Sequence, residues 1–406
     1  MASPFYKVYI EKNNREISEA VERFHYEDCT EEDSYLELVS SKEESMKYAD
    51  DPDIAEGVWL NFQFGYIQGE LSKLHRCKIS DIKTRYADRV TLTIKCLDIG
   101  TSMRKDSNQV VWKNKTSVQI AKEIADKWGL RLESDSTTRV WDSVPQGNKS
   151  DMAFLQYLAS REDTGNFVTY IRNDVLYFVN RKLKSDSTKT YTYNDGNGTV
   201  VSFEPEWRES TQDSSAIESK HTSVDQKSGK VVNTKVNNST ETSTGTLGEN
   251  KLVFSGNFKY KRKDENKLKK SSAPAVSKPI VLPTKDSKEA ENLANSKKKK
   301  ATLKSLEATL VTEGEPNAIP NSVITLAGVA KNHSGNWFVT KVTHDISGSG
   351  YVTTHKLNKN GTNKGNATKS SGSDTSKVKD ANKTVGPKKA EDKVKVVTFD
   401  GMFRRK

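Results

Sequence analysis

Metal-ligand spacing is the first thing this sequence lacks. Its three cysteines, Cys29, Cys77 and Cys96, are an odd number without ligand spacing; two of them stand at strand positions where a small apolar residue would serve, and a reducing compartment during folding fits them best. The six histidines, His25, His75, His221, His333, His344 and His355, include no pair one helical turn apart, the spacing a zinc site on a helix requires. Glu31, Glu32 and Asp33 are clustered but lack the alternating oxygen spacing of a calcium loop, so they read as a solvated turn. The GNG at 196–198 precedes a strand-like run rather than a helix, which excludes a phosphate cradle. No run of about 18 apolar residues occurs, and MASPFYKVYIEKNNREI has no apolar core of signal-peptide length. The expectation is a chain without membrane anchoring and without the usual secretion signal. Hydrophobic residues are also scarce, 33% against 29% charged, which is too polar for a single tightly packed globule.

The net charge of +11 is unevenly spread. Residues 251–305 hold 16 basic and 5 acidic side chains and residues 361–406 hold 12 and 5, so these two segments carry +11 and +7 and the rest of the chain −7. The positive excess therefore sits in low-complexity stretches, and the high pI is no argument for a nucleic-acid-binding domain. Lys297 to Lys300 has no interleaved aromatics to stack bases and follows a helix whose C-terminal end favours cations, so it reads as a solvent-facing helix terminus.

What is present is an echo. GVWLNFQFGYIQG leading to CKISDIKTRYADRVTLTIKCLD, within 57–98, follows the same plan as NSVITLAGVAKNHSG leading to FVTKVTHDISGSGYVTTHKL, within 314–357. Leu60, Phe62, Phe64 and Tyr66 alternate with polar or small neighbours, as do Val90, Leu92, Ile94 and Cys96, so each run can bury one face of a sheet. Further strands are expected at 4–10 and 34–40, with Ile17, Val21 and Phe24 packing between them, while 41–56 reads as a charged loop. At Thr116 the period changes. Thr116 and Gln119 have capping-box spacing, Ile120, Ile124 and Trp128 recur every four residues, and Gly129 supplies a stop. A second helix follows Ser150, and FVTYIR and VLYFVN flank Asn173-Asp174, which tolerates the positive φ of a tight hairpin. YTYNDGNGTVVSFEP reads as a hairpin about Asp195 to Gly198, residues 208–250 as a solvated loop or extended arm, and 286–301 as a short helix capped by Asp286 or Ser287. The expected fold class is mainly β with an α+β insertion: a β domain over 1–100, the insertion (helix, helix, hairpin) over 101–182, a second β domain over 183–360 interrupted by a polar stretch at 208–277, and a basic tail at 361–406.

No catalytic, metal or cofactor site is expected. Asp151, Glu162 and Asp163 are the carboxylates available for acid and base work on cell-wall glycans, but Asp151 falls in a helix's first turn and Glu162 and Asp163 at an exposed helix end. His344, beside Asp345, reads as a hydrogen-bonded structural histidine. Trp112, Trp128 and Trp141 are the candidate glycan platforms, with Trp128 on the apolar stripe of its helix. A peptidoglycan-degrading lysin and a cell-wall glycan-binding protein are thus the alternatives to a structural role. At the carboxyl end, VVTFDGMFRRK carries Phe399, Met402 and Phe403, apolar surface that suits a docking hook for a neighbouring protein.

In order along the chain, FGYIQG, VTLTIKCLDIG, the VWKNKTSVQIAKEIADKWGL helix, SDMAFLQYLASREDTGNFVTYIRNDVLYFV and PNSVITLAGVAKNHSGNWFVTKVTHDISGSGYVTTHKL resemble the late control gene D family of phage proteins. The resemblance covers most of 1–205 and 278–360. It implies a baseplate hub of a contractile tail, related to the base of the type VI secretion spike: a homotrimer in which each subunit gives two tube-like β-barrel domains to a ring of six. It further implies the tail tube protein, central spike protein, baseplate wedge proteins and tape measure protein as partners, and a place in the virion tail baseplate after assembly in the host cytoplasm. The longer polar stretch 208–277 and the basic tail after 360 depart from the family pattern.

Overall fold

Alternating apolar and polar residues build the first β module: β1 (Pro4–Ile10), a short β2 (Arg15–Glu16), β3 (Arg23–Cys29), β4 (Tyr35–Ser40), helix α1 (Glu44–Ala49), β5 (Trp59–Tyr66), β6 (His75–Tyr86) and β7 (Val90–Leu97). The computed structural model describes residues 3–40, 44–105, 107–162, 166–183, 186–196, 199–207, 219–224, 231–236, 247, 250–251, 280–281, 287–304 and 306–362. Leu60, Phe62 and Phe64 of β5 and Leu92, Ile94 and Cys96 of β7 turn inward onto Phe24, Tyr26, Leu36 and Leu38, and each such side chain removed from water contributes about 1.5–3 kcal/mol. Two elements differ from the sequence reading. Residues 44–49 form helix α1 instead of loop, and Phe24 belongs to a full strand, β3, rather than to a packing segment.

The insertion comprises α2 (Gly100–Lys105), β8 (Val111–Thr116), α3 (Ser117–Lys127), β9 (Arg131–Ser134), β10 (Val140–Pro145), α4 (Asp151–Ala159), β11 (Phe167–Arg172) and β12 (Val175–Asn180). Helix α3 carries the expected capping box: Gln119 N–H donates to Thr116 Oγ1 (3.2 Å), and Gln119 Oε1 accepts from Thr116 N–H (2.8 Å). Gly129, at φ +67°, ends it. Asn173 and Asp174 both hold positive φ (51° and 57°), which gives the tight turn between β11 and β12 the twist of its strands. Ile120, Ile124, Phe154, Leu155, Leu158 and Phe178 form a core separate from that of the first module.

The second module comprises β13 (Thr190–Thr192), β14 (Val200–Trp207), the hairpin β15 (Ser219–Val224) and β16 (Val231–Val236), short β17 (Asn250–Lys251) and β18 (Ile280–Val281), α5 (Ser287–Leu303), β19 (Leu306–Glu313), β20 (Ser322–Ala327), β21 (Gly335–Ser347), β22 (Gly350–Lys359) and β23 (Gly361–Thr362). The hairpin at 219–236 occupies part of the stretch 208–250 expected as a loop or extended arm; in its register Val224 stands opposite Val231 at the end where the two strands connect. Nor do β13 and β14 pair with each other. Each is taken by a strand from later in the chain, β13 by β20 and β14 by β19, so the expected hairpin about Asp195 to Gly198 does not form. The core here is Tyr191, Leu310, Ile324, Leu326, Trp337 and Val342.

The echo in the sequence is a repeat in topology. In space the first module runs β1-β5-β6-β7-β4-β3 and the second β13-β20-β21-β22-β19-β14. Counted in chain order, both are first-fourth-fifth-sixth-third-second. Both long strands carry a β-bulge at the same place, between Ile79 and Asp81 in β6 and between Val339 and Lys341 in β21. One difference is that β1 pairs β5 antiparallel while β13 pairs β20 parallel. Strands β21 and β3 join the modules edge to edge, so 13 strands form a single sheet. The fold is mainly β, but among the described residues neither module closes into the barrel expected of it: the path ends at β14 and at β2. Among the described residues no helix is long and apolar enough to cross a membrane.

Candidate functional site

Two of the three carboxylates suited to catalysis, Asp151 and Glu162, are engaged in structural hydrogen bonds. Asp151, at the start of α4, is buried and accepts from Lys127 Nζ (2.7 Å), Trp128 Nε1 (2.8 Å), Gln146 Nε2 (2.8 Å) and Asn108 Nδ2 (2.8 Å). Burial alone would push its carboxyl up, but these donors hold it below the ordinary range. A general acid requires the opposite. Glu162 is buried, not at an exposed helix end as the sequence suggested: Ser117 Oγ donates to it and in turn accepts from Trp141 Nε1 (2.9 Å). Asp163 lies outside the described residues, as do Asp286 and the hook at Phe399, Met402 and Phe403. Trp141 is buried, and Trp112 and Trp128 are half-buried against the insertion's core.

Among the described residues no group of three or more His, Cys, Asp or Glu side chains is placed to hold a metal, and all three cysteines are buried thiols. The acidic cluster is not the solvated turn expected of it. Glu31 meets Arg181 (3.6 Å), Lys300 (3.5 Å) and Lys304 (3.2 Å), which ties the lysine run of α5 back onto the first module. Asp33 accepts from Arg104 Nε (2.8 Å). His344 does stand as a structural histidine: buried in β21, its Nδ1 is 2.8 Å from Tyr351 Oη.

The residues that sequence reasoning missed are those that join elements far apart in the chain. Asp28 of β3 and Arg172 of β11 form a buried ion pair (2.7 Å) that fastens the insertion to the sheet. Glu289 of α5 is buried between Arg161 (2.8 Å) and Arg139 (2.9 Å). No local periodicity marks such residues; the only sequence signal is a charge at a position where the strand pattern asks for an apolar side chain.

The joint between the modules is the arrangement with the clearest mechanical meaning. Its antiparallel register sets Lys341 opposite Cys29, Val342 opposite Asp28, Thr343 opposite Glu27, His344 opposite Tyr26, Asp345 opposite His25 and Ile346 opposite Phe24. On the inner face His344 stacks on Tyr26 (centroids 6.0 Å apart, 9° between planes), and Phe24 and Ile346 enter one core. On the outer face Lys341 pairs with Glu27 (2.8 Å), and Asp345 with His25 (2.8 Å) and Arg23 (3.1 Å). Backbone pairing, apolar burial and charge complementarity all act along the same seam.

The architecture is similar to that of a 43 kDa tail protein of prophage MuSo2 from Shewanella oneidensis (TM-score 0.60, 12% identity, 87% of this chain and 98% of that one). It is equally similar to a tail protein from Neisseria meningitidis MC58 (TM-score 0.60, 12% identity, 88% and 97%). At these identities the likeness is one of fold. No curated protein matches. The model of one family, the Alg8 N-terminal domain, matches residues 36–348, most of the sequence, and the chain belongs to that family.

Proposed function

We propose that this chain is a non-enzymatic structural hub of a contractile phage tail or a related injection system, a trimeric adapter that continues the tail tube on one side and seats the central spike on the other. One observation carries the reading: two modules of the same strand order are fused edge to edge into one sheet whose ends stay open. Open edges present unpaired backbone groups, and another copy can satisfy them. The fold likeness to phage tail proteins supports the same reading, as does the use of Asp151 and Glu162 in structural hydrogen bonds. The kinship to the late control gene D family, the closed ring of six modules, and the tail tube, spike, wedge and tape measure proteins as partners belong to this proposal, as does a place in the virion tail baseplate.

Light scattering on the purified protein, alone and with its tube and spike neighbours, tests it. A mass of three copies, reached alone or on mixing, is the expected result; a monomer under both conditions overturns it. The hook at Phe399, Met402 and Phe403 is the proposed spike contact. A chain lacking 394–406 is expected to keep its oligomeric mass and to lose co-purification with the spike, and unchanged co-purification removes the hook from the proposal.

A further inference from the structure

The internal repeat specifies a second joint that a single copy cannot make. Matching the bulges places Ile82 to Tyr86 of β6 where Val342 to Ile346 stand in β21. Matching the pairs Phe24–Leu38 and Phe203–Leu310 places β14 where β3 stands. In the first setting the far half of the long strand, β21, is paired with β3. In the second, the far half of β6 is paired with β7 on one edge only, and its other edge and the outer edge of β14 have no strand partner among the described residues.

We infer that β6 of one copy and β14 of a second copy pair antiparallel in the register of the internal joint: Ile82 opposite Trp207, Lys83 opposite Glu206, Thr84 opposite Pro205, Arg85 opposite Glu204 and Tyr86 opposite Phe203. The inference rests on the hub reading above and names the surface by which copies would meet. Directly opposed residues in an antiparallel pair share a face, so the register faces two cations with two carboxylates on one side and a tyrosine with a phenylalanine on the other. A shift of one residue would set Arg85 against Pro205 or Phe203 and lose both charge pairs. Lys83, Arg85, Glu204 and Glu206 are exposed, and Tyr86 is 70% exposed, an unusual state for a ring on the core-facing side of a strand. The equivalent of Tyr86 in the internal joint, Ile346, is buried. Lysine and arginine on an edge are by themselves a common guard against strand addition; here the carboxylates of the opposite edge fall in register with them. Pro205 has no N–H, so the seam loses at most one donor there.

Such contacts are heterologous, one edge of each copy against the other edge of the next, and closure after a whole number of copies makes a ring. The test is thiol crosslinking in the full chain with a short bifunctional maleimide, since Cys29, Cys77 and Cys96 are buried. The double variant R85C/E204C is expected to give covalent dimers and trimers, R85C and E204C alone none, and the offset pair R85C/S202C markedly less. Charge reversal gives a second readout: R85E weakens self-association and R85E/E204R restores it. The seam is overturned if R85C/E204C crosslinks no faster than the offset pair, at whatever mass the protein has, or if R85C alone crosslinks as well. A trimer without this crosslink rejects the seam and leaves the hub reading standing, whereas a ladder running past three copies keeps the seam and rejects the closed trimer.

Discussion

R172M is expected to lower stability by about 3–5 kcal/mol, the usual cost of stripping one partner from a buried ion pair. Arg172 and Asp28 are 10% and 3% exposed, and their contact of 2.7 Å links β11 of the insertion to β3 of the sheet. Without the guanidinium, Asp28 is left buried with Ser34 Oγ as its hydrogen-bond donor at 3.4 Å. Burial already pushes the Asp28 carboxyl up, and Arg172 is the group that pulls it back. In R172M the carboxyl therefore protonates at a higher pH, and the deficit shrinks as pH falls. The double variant D28L/R172M removes both charges and fills the space with apolar atoms, so it is expected to recover most of the loss. Guanidinium denaturation of the three proteins, parent, R172M and D28L/R172M, at neutral and mildly acid pH measures all of this. If the double variant is as unstable as R172M, the pair acts through packing rather than charge.

The same pair shows where sequence reading ran out. Strand β3, RFHYEDC, buries Phe24, Tyr26 and Asp28 on one face. A carboxylate at the third of these positions breaks the apolar alternation, and its partner lies 144 residues away, so nothing local identifies a strand. The paired runs at 57–98 and 314–357 were legible because their alternation is local and their turns fall between matched strands. The capping box of α3 and the turn at Asn173-Asp174 were legible for the same reason, since backbone chemistry within a few residues sets them. The hairpin expected about Asp195 to Gly198 failed on topology: both of its strands satisfy their edges with β20 and β19, more than 100 residues further on. The joint between β21 and β3 brings together residues still further apart in the chain, which is why the repeat could be read in the sequence and the seam it implies could not.

D98N is expected to steepen the loss of stability between pH 7 and pH 4, by about 4 kcal/mol relative to the parent chain. Asp98 is half-buried beside Asp33, and the loss of hydration first, then that neighbouring charge, raise its carboxyl to about 7 despite the N–H groups of Ser34 (3.2 Å) and Gly100 (2.8 Å) that donate to it. A group raised on folding stabilises most when protonated, so its contribution is present below the unfolded value near 4 and is lost as pH rises through 7; three pKa units correspond to about 4 kcal/mol. Three buried histidines act in the opposite sense. Burial lowers His75 to about 3 and His355 to about 4, and it lowers His344 with the help of those two neighbours. Their contribution is present above the unfolded value near 6.5 and drains away as pH falls toward the folded values, by about 3 kcal/mol each for His75 and His355 at pH 4. In the parent chain the two trends partly cancel over this window, and D98N exposes the histidine slope. Asparagine offers one acceptor oxygen where the carboxylate offers two, which costs a roughly constant 1–2 kcal/mol; the diagnostic quantity is therefore the slope with pH and not the stability at any one pH. Denaturant midpoints followed through the tryptophan fluorescence at half-unit steps give that slope. Parallel curves for D98N and the parent would show that Asp98 is ionised throughout the window and that its burial is compensated by the two N–H donors.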